Sequence, residues 1–211
     1  MDPQTTIFYD VDTQRDFLLP GGSLFVPGAD SIIPALAAVT RLARDHQIRI
    51  VCSVDRHFPG DRELKRNGGA HDDHCMDGTE GQKKIEATLP LNPLYIPNHA
   101  LSSEEIHAVL DHKGEIIFEK QEFDIFIGNQ HARPMLRLML EKYTDIVIYG
   151  VYTEICVNHA VAGLLDLPPK LHIVSDAIAD IGQDADTFRQ KWQKKGVDFV
   201  TVTKLKELVL N

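Results

Sequence analysis

Short, uninterrupted apolar runs alternate along this chain with longer stretches in which apolar residues recur at every third or fourth position. The runs are Ile7–Val11, Ile48–Val54, Ile116–Phe118, Ile146–Val151 and Leu171–Val174. Their continuity in Val, Ile and Leu predicts strands buried on both faces, as in a parallel sheet. Phe199–Val202 is a weaker sixth candidate. Helical periodicity marks Ser31–His46, Ser103–His112, His131–Tyr143, Ile155–Leu165 and Asp184–Lys195, and Ser102 with Glu105 forms a capping-box signature at the head of the second of these. The alternation predicts an α/β fold: a doubly wound, mostly parallel six-stranded sheet with helices on both faces, formed as one domain over residues 1–211.

One region departs from this pattern. His57–Asn98 is long, polar and rich in Gly, His and Asp. Loops of that length are uncommon in compact domains unless they carry function. It follows a strand end, where open α/β sheets bind ligands. The residues delivered to the strand ends are therefore the candidates for chemistry. They are Asp12 after the first strand, Asp55 and His57 after the second, Glu119 and Lys120 after the third, and Gly150–Cys156 after the fourth. A thiol in the first turn of a helix, with a lysine nearby, is expected to have a depressed pKa and to be nucleophilic. A carboxylate can shuttle its proton, and backbone N–H groups of the Tyr152–Cys156 turn can hold an oxyanion. Each residue also has an ordinary role: Cys156 as buried filler, Lys120 as a solvated strand end, Asp12 as a helix cap. Their joint placement on one sheet edge is what favours function.

Composition narrows the class. At 211 residues, 43% hydrophobic and 25% charged, the chain is an ordinary globular sequence. A net charge of −9 argues against nucleic-acid or anionic-membrane surfaces and is neutral toward a small substrate. No apolar run reaches membrane-spanning length, and the first residues lack a signal-peptide pattern. Three cysteines, Cys52, Cys75 and Cys156, are too few for a disulfide framework and fit a cytoplasmic protein.

The motifs then fall into a known order. Asp12-Thr13-Gln14-Arg15-Asp16-Phe17 matches D-x-Q-x-D-F and is followed by Gly-Gly-Ser-Leu at 21–24. His74–Gly81 matches H-C-x-x-G-T-x-G. Phe118-Glu119-Lys120 precedes a loop with Phe123, Asp124 and Phe126. Gly150–Val157 matches G-x-x-T-[DE]-x-C-V. On these motifs, spanning roughly positions 7–178, the chain resembles the nicotinamidase/isochorismatase-like cysteine hydrolases. The resemblance implies a catalytic triad of Asp12, Lys120 and Cys156, a non-proline cis bond at Val151–Tyr152, and an oxyanion hole from the amides of Tyr152 and Cys156. Small residues commonly stand where Tyr152 is, so the tyrosine is a departure.

The resemblance also implies a divalent metal. Asp55, His57 and His74 match the D-x-H pair and the later His that ligate it in the nicotinamide-hydrolysing branch. Glu63 stands where a further His is common, and His71 is another candidate for that place. Imidazole and carboxylate ligands suit Zn, with Fe or Mn as alternatives. Phe17, Phe58, Phe123, Phe126 and Tyr152 are candidate walls for an aromatic substrate. The expected activity is hydrolysis of a small carboxamide, nicotinamide first, to nicotinic acid and ammonia through a thioester, which places the protein in NAD metabolism. The alternatives are the same triad acting on a ureido or N-carbamoyl compound, or a metal-activated water hydrolase in which Cys156 has no part. The expected partner is a small-molecule amide, with a homo-oligomer as the usual assembly of such folds.

Overall fold

A computed structural model of the chain describes residues 1–182 and 184–210. Seven strands form one parallel sheet: β1 (Thr6–Val11), β2 (Arg49–Asp55), β3 (Leu94–Ile96), β4 (Ile116–Lys120), β5 (Asp145–Val151), β6 (Lys170–Ala179) and β7 (Asp198–Val200). Their order across the sheet is β3-β4-β2-β1-β5-β6-β7. The helices are α1 (Arg15–Leu18), α2 (Ile33–Asp45), α3 (Ser103–Asp111), α4 (Ile125–Gly128), α5 (Ala132–Leu140), α6 (Asn158–Leu164), α7 (Ala185–Lys194) and α8 (Val202–Leu210). The expected capping box heads α3: Glu105 N–H donates to Ser102 Oγ, and Ser102 N–H donates to the Glu105 carboxylate.

The apolar runs are buried on both faces because successive side chains alternate across the sheet. Ile7, Tyr9, Val51, Ile116, Phe118, Ile146 and Ile148 enter one core with α5, α6 and Trp192 of α7. Phe8, Ile50, Cys52, Ile117, Val147 and Tyr149 enter a second core with α2 and α8. Burying a side chain such as Phe8 completely contributes roughly 1.5–3 kcal/mol, so either face left bare would be costly. The doubly wound architecture follows.

Two elements differ from expectation. The sheet has seven strands rather than six, because Leu94–Ile96, inside the segment expected to be irregular, pairs in parallel with β4 in the register Leu94↔Ile116 to Ile96↔Phe118. Three residues between Pro93 and Pro97 carry no readable period, and only the partner strand makes them extended. At the other end, the sixth expected strand stops at Val200, and α8 follows with Val202, Leu205 and Val209 buried. Among the described residues no helix is long and apolar enough to cross a membrane.

The topology fixes where ligands can bind. From β1 the chain passes to β2, out to β3 at the sheet edge and back in to β4, then crosses to β5 on the other side of β1 and winds away through β6 and β7. The crevice at that reversal opens outside the carboxyl ends of β1 and β5. Gly150 lets these strands meet closely: at φ 125° it faces the Val11 carbonyl, and an added Cβ would lie 2.0 Å from that oxygen.

Candidate active site

The carboxyl ends of four strands converge. Asp55 and Lys120 are register partners on neighbouring strands, so their side chains stand side by side on one face. Strand alternation would send Asp12 to the opposite face from Tyr9. A left-handed turn at Asp12, φ 50°, ends β1 instead and brings its carboxylate to Lys120. Aspartate is among the few residues that accept this conformation. After β5, a cis Val151–Tyr152 bond, as the family resemblance implies, leads into a π-helical turn at Thr153–Val157 that carries Cys156.

Lys120 is the hub. Its ammonium lies 3.0 Å from Asp12 Oδ2, pairs with Asp55 Oδ1, and lies 3.6 Å from Cys156 Sγ. Lys120 and both carboxylates are almost fully buried. Burial would depress the Lys120 ammonium, but the two carboxylates outweigh it and raise it well above its ordinary value. Burial would raise Asp55, yet Lys120 holds it well below the carboxylate range. Asp12 goes the other way: burial raises it, and the opposing lysine does not fully cancel that. Cys156 is also raised, by burial first, with Lys120 pulling against it. This corrects the sequence expectation of a depressed thiol pKa. Losing water at a closed site outweighs one shared cation.

Beside this cluster stand Asp55, His57, Glu63 and His74, each buried, with one ligand atom from each within 4.8 Å of the others. The second nitrogen of each imidazole is already engaged. His57 Nδ1 lies 3.1 Å from Asp61 Oδ2, and His74 Nδ1 lies 2.8 Å from the Asp72 carbonyl oxygen. Both Nε2 atoms therefore face inward, His74 Nε2 at 3.4 Å from Glu63 and 3.7 Å from Asp55. His57 Nε2 and both Glu63 oxygens are buried without a hydrogen-bond partner. Such orphaned donors and acceptors are costly unless an ion satisfies them. Burial would lower the His74 imidazolium, but the carboxylates of Asp55 and Glu63 lift it to about 10. Two imidazoles and two carboxylates, oriented from behind, fit a divalent metal. Of the two candidates for the fourth place, Glu63 joins the set. His71 does not: it is half-buried and edge-on to Phe123, with ring centroids 5.1 Å apart.

A cavity of about 300 Å³ opens onto the sulfur and the metal set. Phe17, Phe123 and Tyr152 line it, as expected. Phe126 and Phe58 do not. Phe126 is packed against Gly163 of α6 and under Arg133, and Phe58 is exposed beside Arg56. Leu24, Phe25, Val26, Ile155 and Ile181 complete the apolar wall. The bulk of Tyr152 is partly directed out of the cavity, its hydroxyl buried in the 17–26 segment.

Sequence reasoning missed three supports. The Gln14 side chain accepts the Asp55 N–H at 2.6 Å and donates to the Asp55 carbonyl at 2.7 Å, tying the ends of β1 and β2 together. The Asp16 carboxylate accepts the amides of Cys75 and Ser23, joining two loops, and Gly81 leaves room for it. Asp61 orients His57. Gln14 and Asp16 belong to the first motif, which was the available signal; Asp61 had none.

Comparison with known proteins agrees with this geometry. The family model described as Isochorismatase domain matches residues 7–203. A nicotinamidase of Escherichia coli (strain K12) is 24% identical over 183 residues, 79% of each chain. The pyrazinamidase of Pyrococcus horikoshii, solved in complex with zinc, superposes with a TM-score of 0.73 at 24% identity over 93% of this chain and 99% of that one. An N-carbamoylsarcosine amidase from Thermoplasma acidophilum gives 0.70 at 22% identity over 94% and 96%. At these identities the superpositions show a shared fold, while the domain match covers nearly the whole chain: this protein belongs to the isochorismatase family of hydrolases.

Proposed function

We propose that this chain is a cysteine amidohydrolase that converts a small, neutral aromatic carboxamide, nicotinamide first, to its carboxylate and ammonia. The observation that carries this is the placing of Lys120 Nζ between Asp12 and the Cys156 sulfur, at 3.0 and 3.6 Å, at the edge of an apolar cavity. Because burial raises the thiol and Asp12 stands within reach, attack and deprotonation go together. The Cys156 S–H proton passes to Asp12 as the sulfur bonds to the amide carbon. The carbonyl oxygen takes the negative charge opposite the amides of Tyr152 and Cys156. Asp12 then gives its proton to the departing nitrogen, ammonia leaves, and a thioester remains. Water, deprotonated by Asp12, attacks that carbon; the carboxylic acid leaves and the sulfur regains its proton. Lys120 stays charged throughout and holds the carboxylate in place.

Asp55, His57, Glu63 and His74 would hold the metal, with Zn favoured by the two imidazoles and Fe or Mn as alternatives. A divalent ion held there would supply positive charge beside the cavity, toward which the ring nitrogen of a substrate could turn. Among the described residues no lysine or arginine lines the cavity. A substrate carboxylate of the N-carbamoyl type would find no lysine or arginine to pair with there, His74 being already paired with Asp55 and Glu63, whereas a neutral aromatic amide fits the Phe17, Phe25 and Phe123 walls. Three free cysteines suit a cytoplasmic setting.

Ammonia release from nicotinamide and from N-carbamoylsarcosine, by wild type and Cys156→Ala, tests the reading. Turnover of nicotinamide that falls by roughly 10⁴-fold or more in Cys156→Ala supports it. Full activity in Cys156→Ala, abolished by a chelator, would leave a metal-activated water as the nucleophile and sink it. Preference for the N-carbamoyl compound would overturn the substrate assignment alone.

A further inference from the structure

The segment from Gly21 to Gly28 carries four cavity-lining residues, Ser23, Leu24, Phe25 and Val26, yet it is only half-buried and contains no regular secondary structure. Both bounding glycines adopt left-handed backbone, φ 93° and 94°, where a side chain would be strained. Its first half is secured by Asp16, whose carboxylate accepts the Ser23 amide at 3.1 Å and whose carbonyl accepts the Leu24 amide at 3.1 Å. The second half is held differently. The Tyr152 hydroxyl accepts the Val26 amide at 3.1 Å and donates to the Phe17 carbonyl, with the Leu24 carbonyl 3.2 Å away as a second acceptor for the same proton. One phenolic oxygen thus gathers two backbone groups of the flap, at Val26 and Leu24, and ties them to a third in α1, at Phe17, and the residue that carries it belongs to the oxyanion turn. Its ring packs edge-on against Phe17, with centroids 6.0 Å apart.

We propose that the Tyr152 hydroxyl is a latch: a positioning group that holds the Gly21–Gly28 flap closed over the substrate cavity and ties that wall to the turn carrying Cys156. The latch rests on the amidase reading only for its effect on turnover; its effect on the flap stands apart from it. Burial pushes the phenol up to about 12, so the hydroxyl keeps its proton, and the latch its donor, throughout the physiological range. The flap contacts substrate through its apolar side chains, not through groups that gain charge in the reaction. Unlatching therefore weakens substrate binding more than it slows chemistry. Reopening at glycine-bounded ends is how such segments admit and release small molecules.

Tyr152→Phe removes the oxygen and keeps the ring. Hydrogen exchange at the Val26 amide should quicken by roughly tenfold, the loss expected for one backbone hydrogen bond, while core strands such as Phe8–Val11 exchange as before. For the amide that wild type hydrolyses, KM should rise by about fivefold to tenfold with kcat within about twofold. Val26→Pro deletes the donor and leaves Tyr152 whole, and it should shift KM in the same direction. Unchanged exchange at Val26 in Tyr152→Phe, or a fall in kcat at unchanged KM, overturns the latch. If no tested amide is hydrolysed, the amidase reading fails, and Val26 exchange still decides the latch.

Discussion

Replacing Lys120 by Met keeps the length of the side chain and removes its charge from between Asp12 and Asp55. At the 3.0 Å separation from Asp12, and with an effective dielectric constant of about 20, one such attraction is worth about 5.5 kcal/mol before burial costs are set against it. Lys120 is 1% exposed, so solvent does little screening. Taking one partner out of a buried pair strands the other charge, and the net loss is about 3–5 kcal/mol. In a chain of this size each kcal/mol moves the melting point by about 2–4 °C, so a fall on the order of 10 °C is expected. The assay is urea and thermal unfolding of wild type and Lys120→Met in chelator-treated protein, which keeps an added cation from replacing the lost one. Asp12 is already raised by burial and would rise further without the lysine, so the deficit should be smaller at pH 5 than at pH 8, as the stranded carboxylate takes up a proton. A deficit under about 0.5 kcal/mol at pH 8 is what a solvated surface lysine would give. That result would refute the buried-hub account and, with it, the electrostatic basis of the triad.

Other outcomes follow from the same geometry. Because burial raises Asp12, kcat/KM should fall on acidification through a value above the ordinary 3.8, since the ionised form takes the thiol proton; an acid limb at or below 3.8 in the pH–rate profile contradicts this. Lys84 is buried 3.0 Å from Asp10 and 2.7 Å from Thr13 Oγ1, and Lys84→Met should cost about 3–5 kcal/mol at pH 8 by urea titration. Burial would depress this lysine, but Asp10 raises it above 10.5; the pair's contribution is thus complete below 10.5 and is lost as pH climbs through the higher folded value, so the gap between wild type and variant should narrow only above 10.5. Gly163→Ala would be stabilising by helix propensity alone, by about 1 kcal/mol, yet its Cβ would lie 2.0 Å from the Phe126 ring, so a loss of about 1–3 kcal/mol is expected in thermal melts, relieved by Phe126→Leu.

Much of the fold was legible because parallel strands buried on both faces must be apolar without interruption, and five such runs in this chain are β1, β2, β4, β5 and β6. The same local rules located α3 through Ser102 and Glu105, and the motif order brought Asp12, Lys120, Cys156 and the metal set into view before any coordinates. Local rules failed where a partner supplies the structure: Leu94–Ile96 is extended only because β4 lies beside it. They also failed for side-chain environment. Nothing in the spacing tells Glu63 from His71, or the packed Phe126 from the cavity-lining Phe123, because those outcomes depend on how the 57–98 loop and α6 settle around one another. The charge state of Cys156 is the clearest case. The sequence placed a thiol near a helix start and a lysine and so implied an anion, while only the assembled site shows how completely water is excluded and how nearly Asp12 and Asp55 cancel that lysine. The sequence by itself determined where the buried strands run and, through the motifs that resemble a known family, which residues to look for at their ends. The tertiary structure decided what each of them experiences, because desolvation and opposing charges depend on every element packed around the site at once.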